Sequence, residues 1–180
     1  MVEPASHGKI EVRLRELAQL FNVMDPSPFI DRDLDDAAEE FIVSWAKELP
    51  SGKELELVIH VEVPPAADRR EGLAKAVHGY FKGRAELKQH EFRQLLKRGR
   101  TSLIIGLAFL AACFAASETV ATLGFGTAAE FIQESLLIGG WVAMWRPLEI
   151  FLYDWWPVRS ERQLYRRLAR MGVKLKVKGE

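Results

Sequence analysis

Hydrophobic and polar residues alternate in three short stretches, two near the start of the chain and one at its end. Positions 9–16, 54–63 and 173–178 each place aliphatic residues at every second position, with mostly charged residues between them. A period of two is typical of a β-strand with one buried face. The sequence therefore predicts three strands.

Between the first two strands, the apolar positions follow the period of an α-helix. The helix is predicted to begin near Asp31 or Asp33, because aspartate is a good N-cap, and to end before Pro50. Its apolar residues recur at spacings of three, four and seven, which predicts a single buried stripe. The stripe consists of Leu34, Ala37, Ala38, Phe41, Ile42, Trp45 and Leu49.

The third strand follows a short basic helix predicted at 160–171. A single strand is not stable alone, so we expect it to join the N-terminal sheet. The helical connection between the first two strands is long enough for a crossover, so these strands should be parallel. Residues 30–62 carry ten acids and three bases, and residues 159–178 carry eight bases and one acid. Attraction between these parts favours the docking, although anionic lipid headgroups are an alternative partner for the basic tail.

Two long apolar segments lie between the second and third strands. Residues 101–117 contain 17 consecutive uncharged residues, a length of about 26 Å as a helix. A bilayer core needs about 20 residues, so we predict membrane helices at about 101–123 and 132–156. A polar helix over 68–98 should run directly into the first of them, with Gly99 as a joint. The alternative is a soluble protein with a buried helical hairpin.

The charges that flank these segments predict an orientation. Lys82–Arg100 carries seven basic residues and Arg159–Lys178 carries eight, whereas the connection carries only acids. Basic flanks belong on the cytoplasmic side, so both termini are expected inside, with an outer loop around 121–130. The polar N-terminus lacks a signal peptide, which favours a multi-pass protein of a bacterial cell inner membrane. The expected interface anchors are Trp145, Tyr153, Trp155, Trp156, Arg98, Arg100 and Arg159.

The fold class that follows is an α+β membrane protein. We expect a two-helix transmembrane hairpin and a small cytosolic three-stranded α/β domain, with the order β-α-β, hairpin, α-β. The predicted parts are 1–65 for the α/β domain and 66–100 for the helix that leads into the membrane. The hairpin takes 101–157, and residues 158–180 return to the domain.

Ionisable residues close to the second apolar segment are the main candidates for function, because charge within a membrane is costly. Arg146 and Glu149 are three positions apart and are expected to pair on one helix face, and Pro147 should kink the helix between them. We weigh three roles for a set of five residues: charges that lie at the membrane interface or in a solvated loop, a helix–helix contact, and a cation path through an oligomer. The set is Arg146, Glu149, Asp154, Glu118 and Glu134.

The sequence offers little for catalysis. Four histidines lack a zinc-binding pattern, the single cysteine Cys113 lies in an apolar run, and phosphate-binding or nucleophile motifs are absent. We therefore expect no enzyme activity, cofactor, metal or nucleic acid. The leading hypothesis is a membrane scaffold or accessory subunit that associates with the lipid bilayer and with itself or a larger membrane complex. The alternative is a homo-oligomeric cation channel or transporter subunit.

Overall fold

The structure is a computed structural model, and it describes residues 8–50, 52–122 and 126–178, the side chain of Thr127 excepted. It is mostly helical, with one small sheet. The chain divides into two compact units: Met1–Lys88 with Ser160–Glu180, and Gln89–Arg159. The main elements are β1 (Lys9–Leu14), α1 (Asp36–Glu48), β2 (Glu56–Val61), α2 (Ala67–Thr122), α3 (Thr127–Ala143), α4 (Trp145–Glu149), α5 (Trp155–Leu168) and β3 (Gly172–Val177).

The sheet has the strand order β1-β2-β3, and both pairs are parallel. Leu57 at the centre lies opposite Ile10 on one side and Val173 on the other. The three predicted strands are thus confirmed, with slightly shorter bounds for β1 and β2. The C-terminal strand joins the N-terminal sheet, as expected for a strand that cannot stand alone.

One face of the sheet carries the hydrophobic core. Ile10, Leu57 and Ile59 are fully buried there and belong to the same cluster as Phe81 of α2 and Leu168 of α5. Two successive right-handed crossovers in one direction place both connections on the same side of a sheet. The opposite side, which we call the open face, has no helix of the core cluster over it among the residues that the structure describes; Val58 at its centre is nevertheless fully buried. This face carries the alternate residues of the three strands: Lys9, Glu11, Arg13, Glu56, Val58, His60, Lys174 and Lys176.

Helix α1 differs from the prediction in its start and in its buried face. It begins at Asp36, and the side chain of Asp35 caps it by accepting from the Ala37 and Ala38 amides at 3.0 and 3.4 Å. The predicted start at Asp31 or Asp33 is wrong, because this segment forms a 3₁₀ turn and then a short extended contact. The Asp33 amide donates to the Asp25 carboxylate at 2.7 Å instead of opening the helix.

The buried side of α1 consists of Glu39, Ile42 and Ala46. Phe41 and Trp45, which were expected in the core, are 42% and 49% exposed. Leu34, Ile42, Ala38 and Leu49 of the predicted stripe are buried or pack against the core, so the prediction is confirmed for them. It is wrong for Ala37, Phe41 and Trp45, because the buried side is turned towards Glu39 and Ala46.

Helix α2 contains 56 residues, which corresponds to about 84 Å. It continues from the polar segment into the first apolar segment, as predicted, without a joint at Gly99. A Cβ at Gly99 would lie 2.8 Å from Ile150 Cγ2. Glycine therefore permits a close contact at this position rather than a break in the helix.

The second apolar segment is interrupted where a single helix over 132–156 was predicted. Helix α3 ends at Ala143, α4 follows a turn at Met144, and Ile150–Asp154 forms a π-helical turn. Pro147 explains the first interruption, because it has no N–H to donate to the Ala143 carbonyl four residues earlier. Part of the predicted outer loop, at 123–125, lies outside the described residues, and the remainder includes the first turn of α3.

Two helices are long and apolar enough to cross a membrane, Ala67–Thr122 and Ala128–Leu168. Only 11% of the most apolar window in the first, and 22% in the second, is buried. Ile104, Phe131 and Ile138 are each more than 60% exposed. These windows are consequently unlike the core helices of a soluble domain, whose apolar faces are covered by other elements.

Candidate functional site

The structure brings three of the predicted candidates together around Arg146. Its Nη1 lies 2.8 Å from Glu149 Oε2 and 3.7 Å from Asp154 Oδ2. The expected pair between Arg146 and Glu149 is thus present, and Asp154 is added to it. We call these three residues the Arg146 cluster.

The π-helical turn explains how Asp154 reaches Arg146. Eight residues of regular α-helix would place the two side chains about 80° apart around the axis. A π turn bonds each residue to the fifth one along and winds less per residue, which reduces this offset. Residues Ile150–Asp154 provide that turn, directly after the stretch in which Pro147 disturbs the helix.

The Arg146 cluster holds one cation and two carboxylates. Arg146 is therefore placed to compensate one of the two carboxylate charges that this cluster would offer a cation path. Glu134 lies 12 residues before Arg146, about 18 Å along a helix. On α2, Gly106 contacts the end of α3 at the Ala143 carbonyl, three residues before Arg146. Glu118 lies 12 residues beyond Gly106 and is thus about equally far away along its helix. These two acids are exposed and are not part of the cluster.

The residues predicted as interface anchors lie on exposed surfaces. Trp145, Tyr153 and Trp156 are 73%, 71% and 66% exposed. The Trp155 ring contacts the Trp156 ring, and the Arg159 guanidinium lies 5.4 Å from the Trp155 ring centre. Arg98 and Arg100 are exposed on α2. Amphipathic rings beside guanidinium groups are typical of the membrane–water interface.

Small residues allow α2 and α3 to approach closely. A Cβ at Gly106 would lie 3.1 Å from the Ala143 carbonyl oxygen, and one at Gly140 would lie 2.7 Å from Leu110 Cδ1. A Cβ at the adjacent Gly139 would have no neighbour within 4 Å. Cys113 is buried against Gly140. The helices thus pack through Gly106 and Gly140, in the manner typical of helices in lipid.

A second charged group, which the sequence analysis missed, is centred on Glu39 of α1. Its carboxylate accepts from Tyr80 Oη at 2.6 Å, from Tyr165 Oη at 3.0 Å and from Arg84 Nε at 3.0 Å. Arg84 Nη2 also donates to Glu39 Oε2. The network joins α1, α2 and α5. The spacing of Glu39, Ile42 and Ala46 was the available indication, because it defines a continuous helical stripe.

The pKa values of this group follow from burial and hydrogen bonding. Burial raises the pKa of the Glu39 carboxyl, but the hydrogen bonds from Arg84, Tyr80 and Tyr165 outweigh it and leave the pKa below its usual 4.5. Burial, together with the Glu39 carboxylate, raises the pKa of Tyr80 and that of Tyr165. Glu39 is therefore ionised at neutral pH with every oxygen satisfied, as a structural ion pair requires.

Within residues 8–50, 52–122 and 126–178, no group of three or more His, Cys, Asp or Glu side chains is arranged to hold a metal ion. A scan against protein-family models found no match. Searches of curated proteins and of solved structures likewise found no similar protein. The candidate sites of this chain are therefore interpreted from their own geometry.

Proposed function

We propose that this chain is an integral membrane scaffold or accessory subunit without enzyme activity, whose sheet-containing unit binds a partner. The observation that carries the proposal is the exposed apolar surface of two helices inserted between β2 and β3. Ser160–Glu180 belongs to the same compact unit as Met1–Lys88. The hairpin therefore begins and ends at one small domain, an arrangement suited to holding that domain at a membrane.

The extent of the exposed apolar surface supports membrane insertion. A soluble monomer rarely exposes contiguous apolar patches beyond a few hundred Å². Here Trp141, Val142, Ile105 and Phe109 are all more than half exposed, together with the residues described above. In the alternative, a soluble protein with a buried helical hairpin, other elements would cover the most apolar 18-residue stretch of each helix. Only 11% of this stretch in the first helix and 22% in the second is buried.

The charge distribution supports a cytosolic sheet domain. Both basic flanks are next to that domain in sequence. The two ends of the connection between the apolar segments carry acids instead, such as Glu118 and Glu130. By the positive-inside rule, both termini lie in the cytosol of a bacterial inner membrane. The aromatic residues around Trp145 and Trp156 are then at the cytoplasmic interface.

The exposed side of α1 is our candidate surface for the partner. Phe41 and Trp45 have ring centres 5.9 Å apart, and acidic Glu40 and Glu48 are exposed on the same helix. Exposed tryptophan is enriched among the residues that dominate binding energy at interfaces. A partner with apolar and basic side chains would fit this surface. Such a partner is either a second copy of the chain or another subunit of a larger membrane complex.

Cysteine labelling tests the membrane topology. In a Cys113→Ser background, Thr122→Cys should react with a membrane-impermeant maleimide in intact spheroplasts. Ser160→Cys should react only after permeabilisation, because it is cytosolic in the proposal. Both positions are exposed, so access to the reagent is limited only by the bilayer. Equal labelling of both positions without permeabilisation would contradict the proposed topology.

The mass of the complex extracted in mild detergent separates the scaffold from a cation channel. Native mass spectrometry should give a monomer, a dimer, or a complex with another membrane protein. A closed ring of about four to six copies is the arrangement expected of a pore built from so few helices. Such a ring, with cation flux in liposomes that Glu149→Gln changes, would overturn the scaffold proposal.

A further inference from the structure

The charges on the open face of the sheet are sorted along the strands. Near the amino ends of the strands, each cation has an acidic partner. Lys9 pairs with Glu11 on the same strand. Lys174 Nζ on β3 lies 2.5 Å from Glu56 Oε1 on β2. This half of the open face is thus electrostatically compensated.

Further along the strands, the register places the cations Arg13 and Lys176 on either side of His60, whose Nε2 lies 3.7 Å from Glu11 Oε2. Arg13 on β1 lies opposite His60 on β2, and His60 lies opposite Lys176 on β3. Neither Arg13 nor Lys176 forms an ion pair with any residue that the structure describes. Since Glu11 is already paired with Lys9, Arg13 and Lys176 leave this row, at this end of the open face, with an excess of positive charge.

The row lies beside a depression of about 890 Å³ at the carboxyl ends of all three strands. Its lining includes four cations, Arg13, Arg15, Lys176 and Lys178, with His60 and a single acid, Glu62. Glu62 is engaged by Lys178 Nζ at 3.3 Å. The charge of this lining therefore points to an anionic ligand.

We propose that this depression is a binding site for a phosphate-bearing ligand, held between Arg13 and Lys176 above His60. The outer strands of a three-stranded sheet are about 9.6 Å apart, so two long side chains converge readily on one phosphate between them. The Arg13 guanidinium provides a planar pair of donors, and the Lys176 ammonium provides a compact charge. Arg15 lies directly after the end of β1 and is available for a second phosphate oxygen.

The ligand is either a soluble phosphate compound or the headgroup of an anionic phospholipid. Both present the same oxygens to the site. The site belongs to the unit that contains the sheet, and it does not depend on whether that unit also binds a protein partner. It adds a ligand of defined chemistry to a domain whose other candidate surface is apolar and acidic.

Binding is tested with the full chain in nanodiscs of phosphatidylcholine, titrated with inorganic pyrophosphate in a calorimeter. In parallel, native mass spectrometry counts the phosphatidylglycerol that remains bound after extraction from bilayers containing that lipid. The variants are Arg13→Gln and Lys176→Gln. The matched control is Lys174→Gln, which removes the same charge from the same strand and face, two positions away. All three side chains project from the open face, so the core is preserved.

The site is supported if Arg13→Gln and Lys176→Gln each weaken pyrophosphate binding at least about tenfold while Lys174→Gln changes it less than about threefold, since charge-assisted hydrogen bonds are strong. This result assigns a soluble ligand. If pyrophosphate does not bind but both variants lose the retained phosphatidylglycerol that Lys174→Gln keeps, the site is assigned to a headgroup. No binding of either probe, or equal losses in all three variants, overturns the proposal.

Discussion

The Glu39 network gives the sharpest prediction about stability. Glu39→Ala removes a carboxylate that accepts four hydrogen bonds and leaves the Tyr80 and Tyr165 hydroxyls without their acceptor. Breaking a buried ion pair costs about 3–5 kcal/mol. The Arg84 side chain is 41% exposed and can turn its charge to water, which lowers the cost. We therefore expect a loss of about 2–4 kcal/mol in the stability of the sheet-containing unit.

Hydrogen–deuterium exchange measures this loss at the segments concerned. The amides of α1 and β2 should open about 30- to 800-fold more often in Glu39→Ala than in the wild type, since 1.4 kcal/mol is a factor of ten. The matched control is Glu40→Ala, which removes a neighbouring exposed acid from the same helix. If the two variants exchange at the same rate, the carboxylate does not join the three helices and the reasoning is refuted.

The pH dependence gives an independent check on the same residue. The native pKa of Glu39 lies below its usual 4.5, so the unfolded state binds more protons as the pH falls. The stabilising contribution is therefore complete at pH 7 and is lost as the pH falls below about 4.5 through the native pKa. The difference in stability between the wild type and Glu39→Gln should shrink from pH 7 towards pH 3. A difference that is constant over this range would contradict the assigned ion pair.

Three further predictions concern the hairpin. Gly140→Ala should destabilise the helix pair by about 1–3 kcal/mol through overpacking, whereas the control Gly139→Ala should be neutral or slightly stabilising. Unfolding in sodium dodecyl sulfate measures the stability of both variants, and equal effects would contradict the close contact at Gly140. Pro147→Ala restores an N–H donor for the Ala143 carbonyl and should therefore slow hydrogen–deuterium exchange of the amides around Met144. Unchanged exchange would show that Pro147 does not cause the turn at Met144. Glu149→Gln should leave the oligomeric state, measured by native mass spectrometry, and the cation flux in liposomes unchanged. A changed flux would favour the channel.

The strands were predictable because each carries its period of two within a few residues. The parallel pairing of β1 with β2 followed from the length of the first connection, and the joining of β3 followed from the instability of a lone strand. The parallel pairing of β3 with β2 was not predicted.

The buried face of α1 was not predictable from hydrophobicity. Phe41 and Trp45 are the largest apolar residues of the helix, yet they are exposed, while a carboxylate takes a core position. Glu39 is compatible with burial only because Arg84, Tyr80 and Tyr165 reach it from two other helices. Those partners are 41 to 126 positions away, so no local pattern reports them.

The Arg146 cluster was predicted in part for a similar reason. The pair with Glu149 follows from the spacing of three residues on an α-helix. Asp154 joins because of a π-helical turn, and the sequence contains no simple indication of such a turn. The effect of Pro147 was foreseen, but not the change in winding that follows it.

The late position of β3 has a consequence for how the chain is made. β3 completes a sheet whose other strands are synthesised before both apolar helices, and the Glu62–Lys178 pair joins residues 116 positions apart. In a chain that crosses the bilayer twice, the last strand reaches β2 only if both crossings have been completed. A chain that crosses once leaves β3 on the opposite side and β2 with an unpaired edge, which invites aggregation and proteolysis. For the proposed membrane topology, closure of the sheet would therefore distinguish correctly inserted chains from failed ones during biogenesis.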